Sequence, residues 1–157
     1  MDVQIFPLTP FMTNCYVVRS AGEAIVIDPG ETSPALLAAL EGHRVRAIVN
    51  THAHCDHCAG NALLLQETDS ELMLHEDDLP LLRSIQQQGL MFGFNAMPSP
   101  DPHVFLEAGD EVVLQRFRPL RTLDPTWRSV EPHGDAVLAE ILAALKARSP
   151  KARLRGG

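Results

Sequence analysis

Long apolar runs are missing from this chain of 157 residues, and none approaches the ~20 residues that a membrane-crossing helix needs. The opening "MDVQIFPLTP" has an acidic second residue and no apolar stretch of the kind that marks a secretory leader. Cysteine is scarce: Cys15, Cys55 and Cys58 are too few for a disulfide framework. These absences lead to the expectation of a reducing, cytoplasmic setting. An excess of basic charge is missing as well. The formal net charge is −7, which opposes nucleic acid as the main partner. Internal repeats and low-complexity tracts are also absent.

What is present is ordinary for one globular domain, with 45% apolar and 21% charged residues on a chain long enough to bury a sizeable core. "NCYVVRS" and "AGEAIVIDPG" read as strands joined by a turn at Ala21-Gly22, filled by Val17, Val18, Ile25, Val26 and Ile27. "TSPALLAALEGH" offers Thr32 or Ser33 as N-cap, Pro34 in the first turn and Gly42 after the last, which predicts a helix. "VRAIVN" is a short continuous apolar run, as expected of a strand buried on both faces. "CAGNALLLQET" and "DLPLLRSIQQQGL" read as helices, "ELMLHE" as a strand, "PSPDPH" as a loop and "EAGDEVVLQ" as a turn leading into a strand. Alternating strands and helices imply an α/β layer structure.

Where "VRAIVN" ends, the chain reads "THAHCDHCAGN". In an extended segment His52 and His54 project to one side and can chelate a single ion. Asp56 and His57 follow where the chain turns into the next helix, so they aim at a neighbouring point. Two imidazoles and a carboxylate-imidazole pair suit Zn²⁺, and also Fe or Mn. Cys55-x-x-Cys58 has the spacing of a redox motif, but it interrupts the histidine pattern. A zinc knuckle built from His54, Cys55, His57 and Cys58 would require sequence neighbours to converge, which is sterically poor.

"THAHCDH" resembles the T-H-x-H-x-D-H signature of the metallo-β-lactamase superfamily, and the "AGN" after it is similar to the glyoxalase II-like (hydroxyacylglutathione hydrolase-like) branch. "TNCYVV", "AIVIDPG" and "LEAGDEVVL" resemble other parts of that family, so the likeness spans about residues 3–114. It implies half of an αββα sandwich and a metal-dependent hydrolase in which a metal-bound hydroxide attacks a thioester or related small-molecule carbonyl substrate. It also implies that His52 and His54 bind a first metal, Asp56 and His57 a second, and that Asp56 takes part in catalysis. Asp28 has two readings: orienting a ligand imidazole by bonding the ring nitrogen that faces away from the metal, or closing the turn before Pro29-Gly30.

The resemblance weakens after about residue 115. The family places a further histidine downstream, and in register with it "FRPLRTLDPTWRSV" holds Pro125, which has no donor atom. His133 can supply the missing ligand and Asp135 a bridge, or Asp135 can simply cap the helix "AVLAEILAALKA". The charge changes at the same point. Residues 1–115 hold four Arg or Lys against 16 Asp or Glu, a balance of −12, and residues 116–157 hold nine against four, a balance of +5. The expectation is one domain over residues 1–157, family-like to 115 and divergent beyond, with an incomplete second half of the sandwich. An exposed sheet edge there would favour a homodimer. The competing reading is a catalytically impaired metal-binding or interaction domain that keeps only the front of the site. A nuclease of the same superfamily is opposed by the acidic front.

Overall fold

The computed structural model describes residues 1–107, with Asp110 and Val112. Its framework is a six-stranded sheet of β1 (Asp2–Leu8), β2 (Thr13–Ser20), β3 (Glu23–Ile27), β4 (Arg44–Val49), β5 (Glu71–His75) and β6 (Val104–Leu106), in sequence order. The first three strands are antiparallel neighbours, and β3 to β6 run parallel. This is the mixed α/β architecture that the sequence implies.

The β2–β3 hairpin forms where expected. Ala21 (φ 50°) and Gly22 (φ 80°) both adopt the left-handed conformation that a two-residue hairpin turn requires. Parallel strands need long crossovers. α1 (Pro34–Leu40) joins β3 to β4, and α2 (Cys55–Cys58) with α3 (Asn61–Glu67) joins β4 to β5. A 3-10 turn, α4 (Leu79–Arg83) and α5 (Ile85–Met91) join β5 to β6. Of the two N-cap candidates for α1, Ser33 takes the role, its Oγ accepting from the Leu36 amide at 3.1 Å.

The sheet is apolar on both sides. Val17, Val26, Ile48 and Leu72 pack with Leu36 and Leu40 of α1 and Leu64 of α3. Val18, Ile25, Ile27, Ala47 and Val49, from the opposite face, are buried as well. Each buried leucine here contributes about 1.5–3 kcal/mol. A second cluster gathers Ala53, Cys55, Cys58, Leu74, Leu82 and Ile85 under the loop that follows β4.

Four details differ from the sequence reading. β1 is an additional strand, mostly exposed and interrupted by Pro7, which an edge strand tolerates because it has a side with no ladder to complete. The helix expected over "CAGNALLLQET" is two helices, because the Gly60 amide bonds to Pro29 O (2.8 Å) instead of continuing the helical ladder. The helix expected over "DLPLLRSIQQQGL" breaks at Ser84, whose hydroxyl donates to Leu81 O at 2.8 Å. β6 follows the "PSPDPH" loop directly. The strand and helix expected after residue 107 lie outside the described residues. Among the described residues, no helix is long and apolar enough to cross a membrane.

Candidate metal centre

Because β3, β4 and β5 are parallel, their carboxyl ends meet at one edge, where open α/β sheets place their sites. Asp28 leaves β3 there in the left-handed region (φ 53°), a conformation that Asp tolerates better than most residues. The turn aims its carboxylate at the end of β4. Oδ1 accepts from the Thr51 amide at 2.7 Å and Oδ2 from the Thr51 hydroxyl at 2.6 Å. The Thr51 hydroxyl proton is thereby committed, so Thr51 Oγ1 accepts from His52 Nδ1 at 2.9 Å. This relay assigns the His52 proton to Nδ1 and leaves Nε2 with a bare lone pair. His52 Nε2 lies 3.0 Å from His54 Nδ1.

Asp56 and His57 sit on α2. Asp56 Oδ2 accepts a 2.6 Å hydrogen bond from the Thr13 hydroxyl at the start of β2, and lies 3.5 Å from His57 Nε2. The His57 ring is 4.0 Å, centre to centre, from that of His52. Its buried Nδ1 lies 2.9 Å from Asp28 Oδ2, yet it lacks a hydrogen-bond partner. The two observations agree if the contact is close but off the N–H direction, a charge–dipole contact rather than an aligned bond. Asp28 thus closes its turn and touches the imidazole of one pair directly and that of the other through Thr51.

Two ligands of one tetrahedral zinc, each ~2.1 Å from it, stand about 3.4 Å apart. The separations of 3.0 Å in the His52–His54 pair and 3.5 Å in the Asp56–His57 pair lie on either side of that value. Each pair therefore fits two ligands of one ion in chemistry and spacing. Among the described residues, no group of three or more His, Cys, Asp or Glu side chains is gathered to hold a metal. His133, Asp135 and Pro125 lie outside the described residues.

Burial, reinforced by the neighbouring His57, holds the His52 pKa below the usual imidazole value despite the opposing pull of Asp28. The neutral form so favoured is the one that binds metals. Burial, with Asp28 the next cause, pushes the Cys15 and Cys58 thiols far up; burial and then Asp56 raise Cys55. Burial thus favours the protonated thiol at all three positions. Cys58 donates to His52 O at 3.2 Å.

Several supporting residues escape a reading of the motif alone. Asn50 and Asn61, 3% and 0% exposed, exchange amide hydrogen bonds of 3.3 and 2.7 Å. Asn50 also donates to His57 O, and Asn61 to Ser99 Oγ. Gln88 accepts from the Cys55 amide and donates to Ala53 O. At Gly30 a Cβ would sit 1.8 Å from Asp56 O, and at Gly60 it would sit 2.6 Å from Pro29 O. The signals were a polar residue ending an apolar strand and glycines flanking the motif. The partners, up to 43 residues apart, are set by the fold. Among the described residues, the histidines outside the motif are bonded elsewhere: His43 with Glu41 O and His75 with the Asp77 amide, both two residues away, and His103 across 31 residues with the Leu72 amide.

This arrangement has a family. The sequence matches the metallo-beta-lactamase superfamily over residues 8–141, and the chain belongs to it. An uncharacterized protein of Aquifex aeolicus is 32% identical over 114 residues, covering 71% of this chain and 54% of that protein. A hydroxyacylglutathione hydrolase of Thermosynechococcus vestitus is 36% identical over 92 residues, covering 58% of this chain and 30% of the enzyme. Among solved structures, TTHA1623 in a di-iron-bound form shares 32% identity with a TM-score of 0.64, covering 69% of this chain and 56% of that one. BLEG-1, a B3 metallo-beta-lactamase, shares the fold at a TM-score of 0.63 and 24% identity. The chain thus spans about half the length of the Aquifex protein and of TTHA1623. The family includes hydrolases of both kinds.

Proposed function

We propose that this chain is a metal-dependent hydrolase of thioesters or related carbonyl compounds. The observation that carries the reading is the convergence of His52 Nε2 on His54 Nδ1, and of Asp56 Oδ2 on His57 Nε2, at ligand-like separations. His52 and His54 would hold one ion, and Asp56 and His57 a second, with zinc, iron and manganese all suited to these donors. A bound ion would supply a water acidic enough to act as a nucleophile near neutral pH, and a positive charge to polarise the substrate carbonyl.

The protein's own part is preparation. Asp28 and Thr51 fix the tautomer of His52, and burial keeps that ring neutral. Thr13 fixes the Asp56 carboxylate by donating to Oδ2. Each pair needs a further donor for a usual catalytic set of three. His133, with Asp135 nearby in sequence, is the histidine that the rest of the chain offers.

The test is thioester hydrolysis by protein loaded in turn with zinc, iron or manganese, comparing wild type with His54→Ala and His133→Ala. We expect turnover that falls at least 100-fold in His54→Ala and also drops in His133→Ala. Metal binding without turnover under every loading would instead favour an impaired metal-binding domain, a reading that the two-donor pairs also support.

A further inference from the structure

The run Gln86-Gln87-Gln88 on α5 holds three identical side chains with different surroundings. Gln86 and Gln87 are exposed, whereas Gln88 is half-buried and bonded to the loop that follows β4. Its Oε1 accepts from the Cys55 amide at 3.0 Å. Its Nε2 donates to Ala53 O at 3.2 Å and to Leu81 O at 2.8 Å, with Ser84 Oγ at 3.3 Å. A backbone amide only donates and a carbonyl only accepts, so these bonds fix which end of the Gln88 amide faces which. The Ala53 carbonyl belongs to the peptide before His54, and the Cys55 amide to the peptide after it. One side chain, distant in sequence, therefore holds both peptide groups that flank His54.

His54 is the motif residue with the fewest restraints of its own. Among the described residues, the His52 ring is fixed by Thr51 and the Asp56 carboxylate by Thr13, and the His57 ring lies against Asp28. His54 is exposed, and the hydrogen bond of its ring is to His52, the other member of its own pair. It is also the N-cap residue of α2, yet its side chain makes no capping bond. A ring turned toward His52 is not placed to cap, and the first amides of a helix need acceptors. Gln88 supplies one of them from another helix. α5 can do so because it is itself held. Ile85 is buried in the second apolar cluster, and Gly89 packs so closely that a Cβ there would lie 2.4 Å from Phe94 O. Just past the helix end, the ring of Phe92 meets that of Phe11 edge to face, with centroids 5.8 Å apart.

We propose that Gln88 is a positioning residue for His54: its amide clamps the peptide groups on either side of that histidine and so sets, from α5, where the imidazole stands. The role in metal binding rests on the hydrolase reading, but the clamp can fail separately from it. Gln88 touches no ion and acts only through His54, which makes the two residues coupled.

The experiment is a double-mutant cycle in zinc affinity, measured by titrating metal-free protein in competition with a chelating dye. It compares wild type, Gln88→Met, His54→Ala and the two changes together. Gln88→Met is expected to weaken one ion at least tenfold in the wild-type background, and by less than twofold once His54 is gone. Ile85→Val, which removes a buried methyl from the same helix, should lower the melting temperature and leave zinc affinity within twofold of wild type. Affinities in Gln88→Met within twofold of wild type overturn the proposal. So does equal weakening in the two backgrounds, which would mean that Gln88 supports the fold at large. Should Gln88→Met not fold, the same cycle is run with Gln88→Glu, which is close in shape but loses the donation to Ala53 O and is held to the same outcomes.

If zinc binds and no thioester is hydrolysed, the hydrolase reading fails while the cycle still decides the role of Gln88. If wild type takes up no zinc, the donor pairs fail as a metal site, and amide hydrogen exchange in metal-free protein decides the clamp. A Cys55 amide that exchanges at least tenfold faster in Gln88→Met, with β4 amides unchanged, upholds it, and an unaltered Cys55 rate overturns it.

Discussion

The floor of the candidate site and its rim are built by opposite rules. The floor, from Asp28 through His57 to Asn61, is polar and largely withdrawn from solvent, and its key side chains have named partners. The rim, at Phe11–Met12 and Leu90–Phe92, is apolar and exposed, its two segments bridged by an aromatic contact. The difference teaches where tolerance lies. A polar floor holds one geometry because a displaced member leaves a buried donor or acceptor unsatisfied. An apolar surface is non-directional and can change shape at little cost to the fold.

Substitutions can break that comparison, and the largest effect is expected on the floor. Gly30→Ala places a methyl 1.8 Å from Asp56 O, so backbone must move. We expect a loss of more than about 3 kcal/mol in urea denaturation, with weakened metal binding. A loss below about 1 kcal/mol would mean that the floor yields easily. Asn61→Ala should cost about 1–3 kcal/mol, because Asn50 keeps a buried amide with a lost partner. The double variant Asn50→Ala/Asn61→Ala should then cost less than the two single losses added together.

On the rim, Phe92→Ser should change stability by no more than about 1 kcal/mol, the edge-to-face contact being the main stabilising interaction removed. A loss as large as that of Asn61→Ala would erase the distinction between the regions.

The smallest effect is on pH dependence. The folded-state pKa of His52 lies below its unfolded value, ordinarily ~6.5. As pH falls through that value the unfolded chain takes up the proton first, so the stability of metal-free protein declines until the lower folded-state pKa is passed. Thermal melts from pH 7.5 to 5 after chelator treatment should show this slope, and His52→Gln should reduce it.

The parts of this molecule legible in the sequence are those encoded locally. β-branched runs marked β2 to β4, Ser33-Pro34 marked the start of α1, and the spacing of His52, His54, Asp56 and His57 marked two pairs of side chains that the fold holds close. What escaped depends on distant partners. β1 was hidden because its side chains are mostly exposed and Pro7 interrupts it, so only pairing with β2 makes it a strand. The break at Gly60 is set by the carbonyl of Pro29, and the Asp56 carboxylate is fixed by Thr13, on another strand. Periodicity cannot register such contacts, since they exist only once the sheet has brought those ends together.

The proposed hydrolase requires that the motif gather metal. Elemental analysis of the purified chain beside His52→Ala, Asp56→Ala and His133→Ala tests it most directly. Close to two ions per wild-type chain are expected, with a reduced content in each variant, because His52 and Asp56 each belong to a donor pair and His133 would add a further donor. Wild-type protein without stoichiometric metal, after exposure to zinc, iron and manganese in turn, would contradict it.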